Sequence, residues 1–189
     1  MQLSRRSLAL TFAFSLVFAA TPAAAKELAG ATMPDTISVA GKTLKLNGMG
    51  LRKKAIFKVY VGGLYVEAPG ASAAAILAAD SPKVLKMHFL RSVDKAKLVE
   101  VYKEGVEANA AQTAAAQKAA LDQFYATVAD VKDGSVTTYT YVPGTGTVVN
   151  LDGKDVATIE GKGFADVLFS IWLGPKPPSE DLQKGLLGH

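Results

Sequence analysis

The stretch that decides the fold runs Gly48-Met49-Gly50-Leu51-Arg52, then Lys53-Lys54-Ala55-Ile56-Phe57, then Lys58-Val59-Tyr60-Val61-Gly62-Gly63-Leu64-Tyr65-Val66-Glu67. Its β-branched and aromatic content makes residues 55–66 the clearest strand of the chain. The Gly48-Met49-Gly50 run ahead of it marks a place where the backbone needs freedom. Upstream, residues 36–40 and 43–46 read as short strands on either side of Gly41-Lys42. Downstream, residues 71–79 are alanine-rich and helical, and residues 84–91 form a second strong strand after Pro82.

Ser92 or Asp94 then caps a helix on which Leu98, Val101, Tyr102 and Val106 share one packing face, while Lys95, Glu100, Lys103 and Glu107 look elsewhere. A second alanine-rich helix is expected over residues 113–128. Residues 136–142, 147–151 and 156–160 are β-rich runs separated by Pro-Gly and Asp-Gly turns, the pattern of a meander. Gly144-Thr145-Gly146 reads as a hairpin turn rather than a phosphate cradle, because a strand follows it and not a helix N-terminus. Residues 164–173 are apolar around most of a helix that ends at Gly174-Pro175, with Trp172 a core anchor, and Ser179 caps a short terminal helix.

The first residues have a different character. Arg5 and Arg6 form a basic head, residues 7–20 are largely apolar, and Ala23-Ala24-Ala25 offers small side chains for peptidase cleavage. Residues 1–25 are therefore expected to be a cleavable export signal, with one domain over residues 26–189. A membrane anchor needs about 20 apolar residues, and this run meets Pro22 first. Ser4-Arg5-Arg6 also suggests a twin-arginine start, so the export route stays open.

Processing would remove two of the 21 basic residues and none of the 17 acids, so the net charge falls from +4 to +2. The remaining lysines are scattered among acids and do not gather with aromatics on one face, which argues against nucleic acid as a partner. There is no cysteine, hence no disulfide framework, and His88 and His189 alone cannot build a zinc site. No metal and no cofactor is implied, and a monomer is expected.

The quoted stretch, together with the close Ile171-Trp172-Leu173-Gly174-Pro175-Lys176-Pro177-Pro178-Ser179, resembles the chalcone isomerase-like family in its exported bacterial branch. The order of elements agrees across nearly all of the chain after the signal. The resemblance implies an α+β fold, an open-faced β-sandwich in which a large antiparallel sheet is covered by a layer of helices with a ligand cleft between them. In the family's plant enzymes an arginine after the glycine-rich turn and a threonine on the next strand hold the substrate. In its fatty-acid-binding members the two positions are arginine and tyrosine, and they hold the lipid carboxylate. Arg52 matches the arginine and Tyr60 stands at the second position, the pattern of the binding members. The pairing has a physical basis, since a guanidinium presents a planar fork to a carboxylate and a phenol adds one more donor. The connection between Arg52 and Tyr60 is shorter here than in the enzymes.

The enzymes also carry a tyrosine and, seven residues on, an asparagine along the helix lining the cleft. Tyr102 and Asn109 show that spacing, two helical turns on one face, with Gly105 between them leaving room for a ligand; Tyr102 can also be read as a core-edge aromatic. Arg91 alternates with Leu85, Met87 and Phe89 and either meets an anion in the cleft or, the favoured role, pairs with Asp94. Lys58 shares the parity of Tyr60 and either adds charge to the site or extends outward.

The expected function is non-catalytic binding of a fatty acid or similar amphipathic carboxylate in the bacterial periplasm, through Arg52, Tyr60, Tyr102 and Asn109. The alternatives are an intramolecular lyase of chalcone isomerase type, in which Arg52 orients a phenolate and tyrosines stabilise an enolate, and an interaction module with a vestigial cleft.

Overall fold

The structure, a computed structural model, describes residues 24–189. The export signal expected over residues 1–25 lies outside the described residues except for Ala24 and Ala25. Seven strands form one antiparallel sheet in chain order: β3 (Thr36–Val39), β4 (Lys42–Lys54), β5 (Phe57–Val66), β6 (Lys83–Phe89), β7 (Val136–Val142), β8 (Gly146–Leu151) and β9 (Lys154–Ile159). Every neighbour in the sheet is also a neighbour in sequence, so the sheet is a continuous meander. Helix α1 (Ala73–Ala78) joins β5 to β6. The helices α2 (Lys95–Ala114) and α3 (Lys118–Thr127) join β6 to β7, and α4 (Lys162–Leu173) and α5 (Glu180–Leu186) close the chain.

Strand alternation sorts the side chains into two cores. Leu64, Leu85, Met87, Phe89, Tyr139 and Tyr141 turn to one face, where Leu98, Tyr102 and Val106 of α2, Phe124 of α3 and nearly all of α4 cover them. Val61, Tyr65 and Val84 turn to the other face. There a feature absent from the sequence reading, the hairpin of β1 (Ala25–Leu28) and β2 (Ala31–Pro34), lays Ala31 and Met33 over them. The sandwich is thus open only over part of its second face.

Local chemistry accounts for the ends of the elements. Ser72 and Ser179 cap α1 and α5, their hydroxyls accepting from the backbone N–H of Ala75 and Leu182, each at 3.2 Å. Asp94 occupies the N-cap of α2 without capping through its side chain, and a carboxylate oxygen of Asp130 accepts from Lys95 N at 2.7 Å instead. Asp152 and Gly153 both take positive φ, 50° and 87°, the two-residue turn that Asp-Gly favours between β8 and β9. Lys83, buried in the sheet, satisfies the carbonyl end of α1 by donating to Ile76 O and Ala79 O at 2.8 and 2.9 Å.

Several sequence expectations need correction. The helix expected over residues 113–128 begins later, because α2 runs on to Ala114 through a kink at Ala110 (φ −141°) and a single 3-10 turn at Ala115–Gln117 precedes α3. Val101 does not pack with Leu98, Tyr102 and Val106; it is 37 % exposed at the edge of that stripe.

Nor does Gly48-Met49-Gly50 serve the backbone freedom expected of it, since neither glycine takes a positive φ. It lies inside β4, paired continuously with β5 beyond one irregularity at Asn47. What these glycines supply is the absence of a side chain. A methyl group on Gly48 would overlap the carbonyl oxygen of Gly185, one on Gly50 would overlap that of Leu182, and one on Gly185 would lie 2.6 Å from Gly50 Cα. Helix α5 therefore rests backbone on backbone against β4, and Asn47 fastens it by donating from Nδ2 to Leu186 O at 2.7 Å. Because the obstructing atoms are main chain and cannot rotate away, Gly185→Ala is expected to lower stability by about 2–3 kcal/mol. Thermal unfolding should then shift down by roughly 4–12 °C in a domain of this size, measured by circular dichroism against the parent protein.

Candidate functional site

A cavity of about 580 Å³ opens between the sheet and the helices α2 and α4, within the range of small-molecule sites. Arg52 and Tyr60 stand directly opposite each other on β4 and β5, and Tyr60 is in turn opposite Phe89 on β6. The three residues make one rung across three strands, and facing side chains on such a rung begin about 5 Å apart. The two-residue turn Ala55-Ile56 by itself would set Arg52 opposite Val59; a register shift between Arg52 and Lys53 brings Tyr60 there instead.

The register shifts just beyond this rung, since Arg52 pairs with Tyr60 but Lys53 pairs with Lys58, leaving Val59 as the extra residue of a β-bulge. A bulge reverses the parity of the strand past it. Val59 and Phe57 consequently line the cavity along with Tyr60, and Lys58, expected on the face of Tyr60, does not.

Tyr60 is held from the helical layer. Its hydroxyl oxygen accepts a hydrogen bond from Trp172 Nε1 at 2.9 Å, and its ring leans on Phe89 with centroids 5.6 Å apart. Trp172 is core, as expected, at 2 % exposed, but its indole N–H also fixes the phenol at the cavity head. Tyr60's own O–H hydrogen has no acceptor among the described residues and remains available to a ligand. Arg52 spends one N–H on the carbonyl of Lys53, leaving further donors of the guanidinium for the cavity.

Deeper in, Tyr102 lines the cavity and accepts from Tyr139 Oη at 2.9 Å, in an aromatic cluster with Phe124, Tyr139 and Trp172. Gly105 lines it too, but a methyl there would meet Ile171 Cγ2 at 2.7 Å, so its smallness serves the close packing of α2 on α4. Asn109 is not brought to the cavity. Its Nδ2 donates to Gly105 O and Lys176 O, both at 2.9 Å, and its Oδ1 accepts from Lys176 N at 2.8 Å, so its amide clips the segment after α4 to α2. The two-turn spacing from Tyr102 is real; the kink at Ala110 and the returning chain at Lys176 claim the asparagine. Arg91 reaches the cavity rim, and its guanidinium lies over the Phe57 ring, 4.6 Å from the centroid, in place of an ion pair with Asp94.

The walls beyond Arg52 and Tyr60 are largely apolar, with Met87, Phe89, Leu98, Ile171 and Pro178 among them. Trp172, Phe57 and Lys176 belong to the site and escaped the sequence reading. Trp172 lies 112 residues from Tyr60 in sequence, so no local pattern could pair them.

Burial keeps the phenols protonated. Loss of hydration pushes Tyr60 up to about 12, against the opposing pull of the Trp172 hydrogen bond and the Arg52 charge. Tyr102 and Tyr139 are raised for the same reason. At neutral pH these hydroxyls are therefore hydrogen-bond donors, not bases. The cavity thus carries a guanidinium and a protonated phenol beside largely apolar walls.

The fold is that of the chalcone isomerase-like family. Residues 25–188 match that family along their whole length, and the chain belongs to it. No curated protein matches the chain. Among solved structures, it is similar to a fatty-acid binding protein of Arabidopsis thaliana, with 16 % sequence identity and a TM-score of 0.62, over 84 % of this chain and 92 % of that one. That likeness establishes the shared fold, an α+β meander sheet under helices.

All six tyrosines are raised above the ordinary value of 10.0, each chiefly by burial. A phenol that binds its proton more tightly when folded contributes stability that is complete below pH 10 and is lost as the pH climbs through the folded-state value. Most of the tyrosinate absorbance of the native protein should accordingly appear above pH 10, with cooperative unfolding toward pH 12, whereas the chain in denaturant should titrate near 10. A full tyrosine titration centred at 10 in the folded protein would contradict the burial described here.

Proposed function

We propose that the protein binds a fatty acid or a similar amphipathic carboxylate without catalysing its conversion, and that it does so in the bacterial periplasm after removal of residues 1–25. The observation that carries this reading is the Arg52–Tyr60 rung, two donor groups side by side at the head of an apolar cavity. A carboxylate accepts the guanidinium fork and the free phenolic hydrogen, and the chain lies along Met87, Phe89 and Ile171. The Arabidopsis protein of the same fold, described as fatty-acid binding, supports the choice of ligand class. Periplasmic placement follows from the basic head, apolar run and alanine exit of the first 25 residues.

Titration of the domain with a fluorescent long-chain fatty acid tests the ligand. Arg52→Ala removes a charge-assisted hydrogen bond of about 1.5–3 kcal/mol, so affinity should fall roughly 10- to 150-fold. Tyr60→Phe should cost less, about 3- to 10-fold, by removing one neutral donor. The methyl ester of the same acid should bind weakly and be indifferent to Arg52→Ala. Undiminished binding of the free acid by Arg52→Ala would remove the basis of the proposal. Fractionation of cells carrying the full chain, with and without residues 1–25, tests its location.

A further inference from the structure

The tip of the β4–β5 hairpin has the wrong surface for a turn exposed to water. Ile56 is 86 % exposed and Phe57 is 53 % exposed, the two most exposed of the large hydrophobic residues described. The turn that presents them places Ala55 at φ 53°, a left-handed conformation in which glycine or asparagine is the ordinary occupant. Polar turn residues would be both more soluble and less strained.

The apolar tip is ringed by cations. Lys53, Lys54 and Lys58 flank it in sequence, all exposed, and the whole of residues 51–66 contains no acid. Arg91 lies over the Phe57 ring. The cavity opens at the same place: of the charged residues lining it, five are cations (Arg52, Lys54, Arg91, Lys97 and Lys176) and two are acids (Asp94 and Glu104). A further acid near Lys54, Glu100, is paired with Lys97. Val101, the next most apolar exposed feature on this side, also lines the opening.

We propose that this hairpin tip docks the protein on an anionic phospholipid bilayer, with Ile56 and Phe57 entering the headgroup boundary and the surrounding lysines and Arg91 meeting lipid phosphates. A bilayer suits the combination: it takes up an isolated pair of apolar side chains without needing a complementary surface, and its negative charge answers the basic ring. Seated this way, the cavity mouth faces the acyl region, and an amphipathic acid passes between bilayer and cavity without its tail crossing water. Docking itself requires no ligand, so it stands or falls separately from the fatty-acid reading.

The test uses residues 24–189, which contain every element of both cores, in flotation with vesicles. The domain should float with equimolar phosphatidylcholine and phosphatidylglycerol and stay behind with phosphatidylcholine alone. Ile56→Asp, and separately Lys53→Glu with Lys58→Glu, should each reduce flotation about ten-fold or more, and raised salt should weaken it. These residues do not line the cavity, so fatty-acid affinity without vesicles and thermal stability should stay at the parent values. Absence of flotation by the parent protein, or flotation unchanged in Ile56→Asp, would overturn the proposal. So would a vesicle-free dimer in sedimentation that Ile56→Asp dissolves, since the tip would then serve contact between copies. Loss of fatty-acid binding by the parent protein with flotation intact would refute the ligand reading and leave docking standing.

Discussion

The contact of helix α5 with strand β4 governs how the rest of this domain is arranged. Gly48 and Gly50 on the strand and Gly185 on the helix let two main chains touch, and the Asn47 amide locks the contact through Leu186 O. Gly62 on β5 continues the flat surface, with room only for the Leu182 and Leu186 side chains. On β4, two residues beyond Gly50, Arg52 lines the cavity between the sheet and the helices α2 and α4.

The cavity head combines one element from each layer. Arg52 and Tyr60 come from the sheet and are brought opposite each other by the bulge at Val59, while Trp172 comes from α4 and restrains the phenol through its indole N–H. The α4 helix is in turn held by α5, since Gln183 Nε2 donates to Trp172 O and Gly174 O at 3.1 and 2.8 Å. A continuous chain of contacts thus runs from the glycines of β4, through α5 and α4, to the Tyr60 hydroxyl at the cavity. Groups held in this way are ordered before any partner arrives.

Strand and helix identity were largely legible in the sequence. Period-two alternation in β6 and β7, the Asp-Gly turn at Asp152, the Ser179 cap and the apolar circumference of α4 are local signals, set by interactions a few residues apart. The β1–β2 hairpin was not legible, because its four-residue strands carry too little pattern and are held by burial of Ala31 and Met33 against a distant sheet face. The α2 kink at Ala110 was equally hidden, for the alanine-rich sequence around it favours helix throughout.

The candidate site divides the same way. By itself the sequence determined the meander, because residue type and short spacing are written in the chain, and it singled out Arg52, Tyr60 and Tyr102 through the family resemblance. Only the tertiary structure decided that Trp172 holds Tyr60, that a bulge at Val59 turns Lys58 away and Phe57 inward, and that Asn109 is consumed by the backbone at Lys176. Those outcomes depend on atoms separated by up to 112 residues meeting in space, and on which of two competing partners a side chain reaches first. Neither follows from local propensity until the layers have packed.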